Sequence, residues 1–112
     1  MKEVITFEEF TKIDIRVGTI LEVKDFAKAK KAAYQLTIDF GSLGIKKSSA
    51  QITDLYAKNN LVDKQVLAIV NFKPRQIANF MSEVLVLGVY NSDGNVVILQ
   101  ASKSIKNGVT VS

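Results

Sequence analysis

The chain contains neither cysteine nor histidine. The first absence excludes a disulfide framework and any thiolate metal site. The second removes the commonest general base and the imidazole ligand of zinc. Also missing are a Gly-x-Ser-x-Gly nucleophile turn, a glycine-rich phosphate loop and a pair of carboxylates spaced for acid–base work. Catalysis is therefore disfavoured, and no metal or cofactor is expected. No apolar run approaches the roughly 20 residues that cross a bilayer, so membrane insertion is not expected. No hydrophobic segment precedes a cleavage site near the N-terminus, which together with the lack of cysteine fits a cytoplasmic location.

What is present suits one globular domain spanning residues 1–112, near the size at which oligomerisation often adds stability. The formal charge of +4 is modest but unevenly placed. Between Phe26 and Ser82 the cations are Lys28, Lys30, Lys31, Lys46, Lys47, Lys58, Lys64, Lys73 and Arg75, against only Asp39, Asp54 and Asp63. A basic centre favours an anionic partner such as nucleic acid or an acidic peptide. Scattered lysines also keep a surface hydrated, and Lys28, Lys30 and Lys31 taken singly read as solvated charges.

Thr6-Phe7-Glu8-Glu9 has the pattern of a capping box and predicts a short helix with Phe7 and Phe10 on one face. So short a helix must dock, either on its own core or on another subunit. Ile13, Ile15 and Val17 alternate with polar residues or glycine, and the parity then changes towards Ile20, Leu21 and Val23. This predicts a long, bent first strand with a bulge at Gly18. Tyr34, Leu36, Ile38 and Phe40 alternate strictly with Gln35, Thr37 and Asp39 in a second strand. A third runs from Ile45 to Ser48. Ser48-Ser49-Ala50-Gln51 then reads as another capping box, and Ile52, Leu55 and Tyr56 predict a helix of two to three turns. Val66–Val70 and Val84–Tyr90 read as the fourth and fifth strands, joined by a polar connector that holds the only proline. Asp93-Gly94 predicts a hairpin that returns Val96–Leu99 onto the fifth strand, with a short terminal strand after Asn107-Gly108.

This order predicts a mainly β fold. It is that of a five-stranded OB barrel with a helix between strands three and four, plus a short N-terminal helix and a C-terminal β extension. Periodicity alone also permits another small α+β barrel.

Three segments carry a family resemblance: Asp14-Ile15-Arg16-Val17-Gly18-Thr19-Ile20, Ser48-Ser49-Ala50-Gln51-Ile52, and Asn71-Phe72-Lys73-Pro74-Arg75 through Ser82-Glu83. Together they resemble the tRNA-binding OB domain found at the end of some methionyl-tRNA synthetases and in stand-alone tRNA-binding proteins. Ile38-Asp39-Phe40-Gly41, the run Lys47 to Thr53, and Arg75-Gln76-Ile77-Ala78 with Ser82 to Gly88 resemble more closely the CsaA group of export-related chaperones. The resemblance implies a homodimer that recognises tRNA by its structure. By position it implies Asn71, Lys73, Arg75 and Ser82 as RNA contacts, with Ser49 near them. Lys46, Lys47 and Arg16 join this set if they face the same side. Val84-Leu85 stands where the wider family usually has Gly-Met, a replacement expected in the CsaA group, for which a peptide-binding groove is also proposed.

Two functions follow. The first is a non-catalytic, dimeric tRNA-binding module. The second is a peptide-binding chaperone for unfolded or pre-export proteins, with Phe72, Ile77, Phe80 and Met81 lining an adaptable apolar groove, unless these four simply complete the core. Phe7 and Phe10 are the candidates for the dimer interface. Generic single-strand binding needs aromatic platforms on strands two and three, where the outward residues are Gln35, Thr37 and Asp39.

Overall fold

The computed structural model describes residues 1–112. In chain order the elements are α1 (Phe7–Phe10), β1 (Ile15–Asp25), β2 (Tyr34–Asp39), β3 (Ile45–Ala50), α2 (Lys58–Leu61), β4 (Gln65–Ile69), β5 (Arg75–Ile77), β6 (Phe80–Ser82), β7 (Leu85–Val86), β8 (Gly88–Tyr90) and β9 (Val96–Ile98). Strict alternation in β2 buries Tyr34, Leu36 and Ile38 on one side and leaves Gln35, Thr37 and Asp39 half-buried on the other. β2 pairs antiparallel with β1 and β3, β1 also pairs with β4, and β4 with β7. The resulting sheet has the order β3-β2-β1-β4-β7 and curls around a core of Ile20, Leu36, Ile38, Phe40, Leu61 and Val66. Full burial of each such side chain is worth about 1.5–3 kcal/mol relative to exposure.

Side chains complete the nearly closed barrel where no continuous ladder does. The Glu83 amide donates to the Lys47 carbonyl at 2.7 Å, and the Lys47 amide donates to Glu83 Oε1 at 3.0 Å. Beside this pair the Ser49 amide donates to Ser82 Oγ at 3.0 Å, and the buried Ser48 hydroxyl donates to the Val84 carbonyl at 2.9 Å. The edge of β3 is thereby tied to the segment that joins β6 to β7. A mostly β, five-stranded barrel on the OB plan is what the alternation predicts.

Four local expectations are corrected. The register shift in β1 falls between Ile20 and Glu22, not at Gly18, which sits flush in the β1–β4 ladder opposite Val66. Gly18 is needed for another reason: a Cβ there would stand 2.6 Å from Ile38 Cγ2 and 2.7 Å from the Phe40 ring. Second, no helix forms over Ile52–Tyr56. β3 continues to Ala50 because pairing with β2 extends that far and the Ser48 hydroxyl is engaged across the barrel rather than free to cap. The helix that does form, α2, is one turn long. Asn60 Oδ1 accepts from the Ala57 amide at 3.1 Å, and Leu61 enters the core. Third, the fifth strand is divided, β7 staying with β4 while β8 turns away to pair with β9. Fourth, the proline-bearing connector is itself a hairpin, β5 against β6.

The N-terminal cap forms as expected, while the expected terminal strand is reduced to a single β-bridge between Thr110 and Arg16. At α1 the Glu9 amide donates to Thr6 Oγ1 at 3.0 Å and the Thr6 amide to Glu9 Oε1 at 3.1 Å, the two halves of a capping box. The C-terminal segment runs along β1 where β2 has left it, Gly108 donating to the Val17 carbonyl and Val111 to the Ile15 carbonyl, each at 2.8 Å.

Candidate nucleic-acid interface

The β5–β6 hairpin organises the site. Ile77 and Phe80 close a two-residue turn of Ala78 and Asn79, in which Ala78 takes φ +51°, a conformation that favours glycine. Directly opposed residues of a hairpin share a face, so Arg75, Ser82, Ile77 and Phe80 lie on one side and Gln76 and Met81 on the other. Phe80 packs edge-on against buried Phe26, with ring centroids 5.4 Å apart. This contact anchors the hairpin to the loop that follows β1, the loop carrying Lys28, Lys30 and Lys31.

Two connected hollows, of about 420 and 460 Å³, meet at Ser49, Arg75 and Ile77. The walls of the first include Phe72, Lys73, Ser82 and Glu83. Those of the second include Lys28, Lys30, Lys31 and Gln51. The ion pairs of the molecule are Arg16–Asp14, Lys24–Glu22 and Lys58–Asp25, all elsewhere. Lys28, Lys30, Lys31, Lys73 and Arg75 therefore line one groove with no carboxylate paired to any of them. Ser82 Oγ accepts the Ser49 amide, which leaves its own O–H proton to donate outward.

The structure thus brings together Ser49, Lys73, Arg75 and Ser82. Lys46 and Lys47 part company, because alternation in β3 puts Lys47 on the outward face with Ser49 and Lys46 on the opposite face with Ser48. Asn71 is engaged within the chain: its Oδ1 accepts the Asp14 amide at 3.0 Å and its Nδ2 donates to the Lys12 carbonyl at 2.7 Å. Arg16 is engaged too, as a fork on Asp14 at 2.6 and 3.2 Å and through a third bond to the Gly108 carbonyl at 3.0 Å. Its guanidinium is held above the ordinary arginine value first by the hydrogen bond to Asp14, against partial desolvation and with some help from Coulomb attraction.

Of the apolar candidates, Phe72 is 56% exposed and lines the first hollow, and Ile77 borders both. Phe80 is committed to Phe26, and Met81 lies exposed on the far face of the hairpin. A third hollow of about 370 Å³, lined mostly by apolar residues, continues from Ile77 past Leu85 and Val89 to Tyr90 and Val96. The outward face of β2 and β3 pairs Gln35 with Ser49, Thr37 with Lys47 and Asp39 with Ile45, so it offers no aromatic ladder for stacked bases. Phe7 is 76% exposed and lies against Phe10, at 6.1 Å between ring centroids, near exposed Val4 and Ile5 in the chain.

Five groove residues were not assigned a contact from the sequence. Gln51 and Glu83 stand inside the family segments without a role of their own there, and Lys28, Lys30 and Lys31, whose only signal was surplus positive charge, come beside Arg75 where Phe26 packs on Phe80.

Residues 15–110 match the family model described as "Putative tRNA binding domain". The chain belongs to this tRNA-binding domain family. Within the family it is similar over its whole length to two solved CsaA chaperones. That of Picrophilus torridus is 52% identical, with 97% of this chain and 100% of the other covered and a TM-score of 0.91. That of Bacillus anthracis is 44% identical, with 98% and 100% covered and a TM-score of 0.93. The methionine–tRNA ligase of Chlorobium chlorochromatii is 38% identical over 110 residues, which are 98% of this chain and 15% of the ligase. The chain spans 15–16% of the length of such curated relatives, so what it shares with them is this one domain. In this tRNA-binding domain the cations that line the joined hollows come from the hairpin, the residues just before it and the loop it touches, while the β2–β3 face carries Lys47.

Proposed function

We propose that the protein is a homodimeric, non-catalytic, cytoplasmic tRNA-binding protein that recognises folded RNA through the groove between the β5–β6 hairpin and the lysine-rich loop. The observation that carries this reading is the convergence of five cations with no internal partner on one continuous groove. Lys73 and Arg75, with Lys28, Lys30 and Lys31, neutralise phosphates. Ser82 donates its free hydroxyl proton, and Ser49 and Lys47 extend the polar surface along β3. Arg16 and Asn71 act beneath this surface by holding β1 to the C-terminal segment and α1 to the end of β4. Two copies related by a twofold axis present two such grooves to one RNA, and exposed Phe7, together with Phe10, supplies apolar surface for that pairing.

Charge reversal tests the reading. Lys73→Glu combined with Arg75→Glu weakens tRNA binding at least tenfold in a filter assay, since each reversed cation both loses and repels a phosphate. Undiminished binding by the folded variant overturns the assignment. For the dimer, sedimentation at micromolar concentration gives twice the monomer mass, and removal of the residues before Lys12 lowers it. A stable monomer in the intact protein contradicts it.

A second reading, a chaperone for unfolded or pre-export polypeptides, is favoured by the whole-length likeness to CsaA chaperones and by the apolar hollow between Ile77 and Val96. Binding of an apolar peptide that is insensitive to salt and is lost in Val89→Ser supports it. Peptide binding that Val89→Ser leaves unchanged removes that hollow from the mechanism.

A further inference from the structure

We propose that the hollow between Phe72 and Glu83 is a nucleobase pocket that holds one unpaired guanine of the bound RNA, an inference that rests on the tRNA-binding reading. Three kinds of group meet in this space of about 420 Å³, a size typical of small-ligand sites. Lys73 and Arg75 supply cations. Phe72 supplies an aromatic ring that is 56% exposed and takes part in neither aromatic pair of the molecule. Glu83 supplies a carboxylate.

The carboxylate is the informative member, because an acid weakens a wall that serves phosphates alone. Glu83 is also fixed in place. Its amide donates to the Lys47 carbonyl at 2.7 Å and its Oε1 accepts the Lys47 amide at 3.0 Å, while Oε2 has no partner within the chain. Neither Lys73 nor Arg75 forms an ion pair with it. The hollow therefore presents cations, a π-face and an acceptor to the same ligand. A nucleotide carries the three complements: a phosphate, a flat base and hydrogen-bond donors on the base edge. A bare phosphate leaves Glu83 opposed, and an apolar peptide leaves Lys73, Arg75 and Glu83 all unmatched.

The acceptor also orders the bases. Guanine offers two adjacent donors, N1–H and N2–H, to a carboxylate. Adenine and cytosine offer an amino group beside a ring acceptor, and uracil offers one N–H between two carbonyl oxygens that a carboxylate repels. The order of affinity is guanine first and uracil last.

Titration of the intact protein with the 5′-monophosphates of guanosine, adenosine, cytidine and uridine, followed by amide chemical shifts, tests this directly. The expected result is that GMP binds at least about fivefold more tightly than UMP, a difference of about 1 kcal/mol, with shifts centred on Phe72 to Arg75 and Ser82 to Leu85. Glu83→Gln keeps an oxygen for the Lys47 amide but places a donor where the free acceptor was, and it removes the preference. Phe72→Ala weakens all four nucleotides at least about fivefold through lost stacking. Equal affinity for the four nucleotides overturns the proposal, as does a guanine preference that survives Glu83→Gln. Shifts produced there by an apolar peptide and by no nucleotide overturn it too. Filter binding of tRNA run in parallel separates the failures. Retained tRNA binding without base preference removes only the pocket, whereas absent tRNA binding removes the reading beneath it.

Discussion

Polar side chains on two sides of the barrel have opposite fates. Where the C-terminal segment crosses β1, several are engaged within the chain. Asn107 Oδ1 accepts from Thr19 Oγ1 at 2.8 Å and from Gln65 Nε2 at 3.1 Å, Gln65 Oε1 accepts the Ile105 amide at 3.1 Å, and Arg16 grips Asp14 and the Gly108 carbonyl. Around the hairpin, Lys28, Lys30, Lys31, Lys73 and Arg75 have no ion-pair partner. Each internal hydrogen bond adds about 1 kcal/mol to the fold, whereas an unpaired cation adds nothing until an anion arrives. Residue type alone does not separate scaffold from interface here, since Arg16 and Arg75 are both arginines in motifs of the same family. What distinguishes the two arginines is that Arg16 has an ion-pair partner and Arg75 has none.

The contrast is sharpest at Arg16. Arg16→Ala leaves the Asp14 carboxylate and the Gly108 carbonyl without their donor, and because the pair is partly exposed urea unfolding should show a loss of about 1–2 kcal/mol. The folded fraction should still bind tRNA within about twofold of the parent. A tenfold loss of affinity at unchanged stability would instead move Arg16 into the interface. On the other side, replacing Lys28, Lys30 and Lys31 together by Gln should leave the urea midpoint in place and weaken tRNA binding about tenfold, equivalent to about 1.4 kcal/mol. If affinity holds, the loop is a solvated surface and the groove ends at Arg75.

Smaller effects refine the boundary. Asn71→Ala removes two bonds that hold the chain between α1 and β1, at a cost of about 1 kcal/mol in stability and with little change in RNA affinity. The opposite outcome would return Asn71 to the contact set that the family motif implies. Ala78→Gly relieves a non-glycine residue at φ +51° and should raise stability by about 0.5–1 kcal/mol, read as a small increase in melting temperature. A decrease would mean that flexibility gained in the unfolded chain outweighs the strain removed.

The barrel was legible where the chain alternates and opaque where distant pairing overrides local pattern. Tyr34 to Phe40 announces its strand, and Thr6 with Glu9 announces its helix start. Ser48 misleads, because its spacing from Gln51 imitates a cap while its hydroxyl is drawn to the Val84 carbonyl across the barrel. Val84 to Tyr90 reads as one strand because nothing local reports that it divides, β7 staying with β4 while β8 leaves that sheet for the hairpin with β9 that Asp93-Gly94 predicts. At the site, Lys73, Arg75, Ser82 and Ser49 were visible through a motif, and the structure gathers them. The lysine loop was visible only as charge, since nothing in its own sequence reports that Phe26 packs on Phe80, far away in the chain, at the side where Arg75 stands. Asn71 and Arg16 belong to the same motifs, yet the partners that engage them lie in segments that the motifs do not contain.

The central claim is that the unpaired cations of the groove meet RNA phosphates, and the salt dependence of tRNA binding tests it most directly. With five such contacts, the logarithm of the association constant should fall against the logarithm of salt concentration with a slope of roughly −3.5 to −4.5. Replacing Lys73 and Arg75 by Gln should make that slope shallower by about 2. A slope that the double variant leaves unchanged would contradict the account.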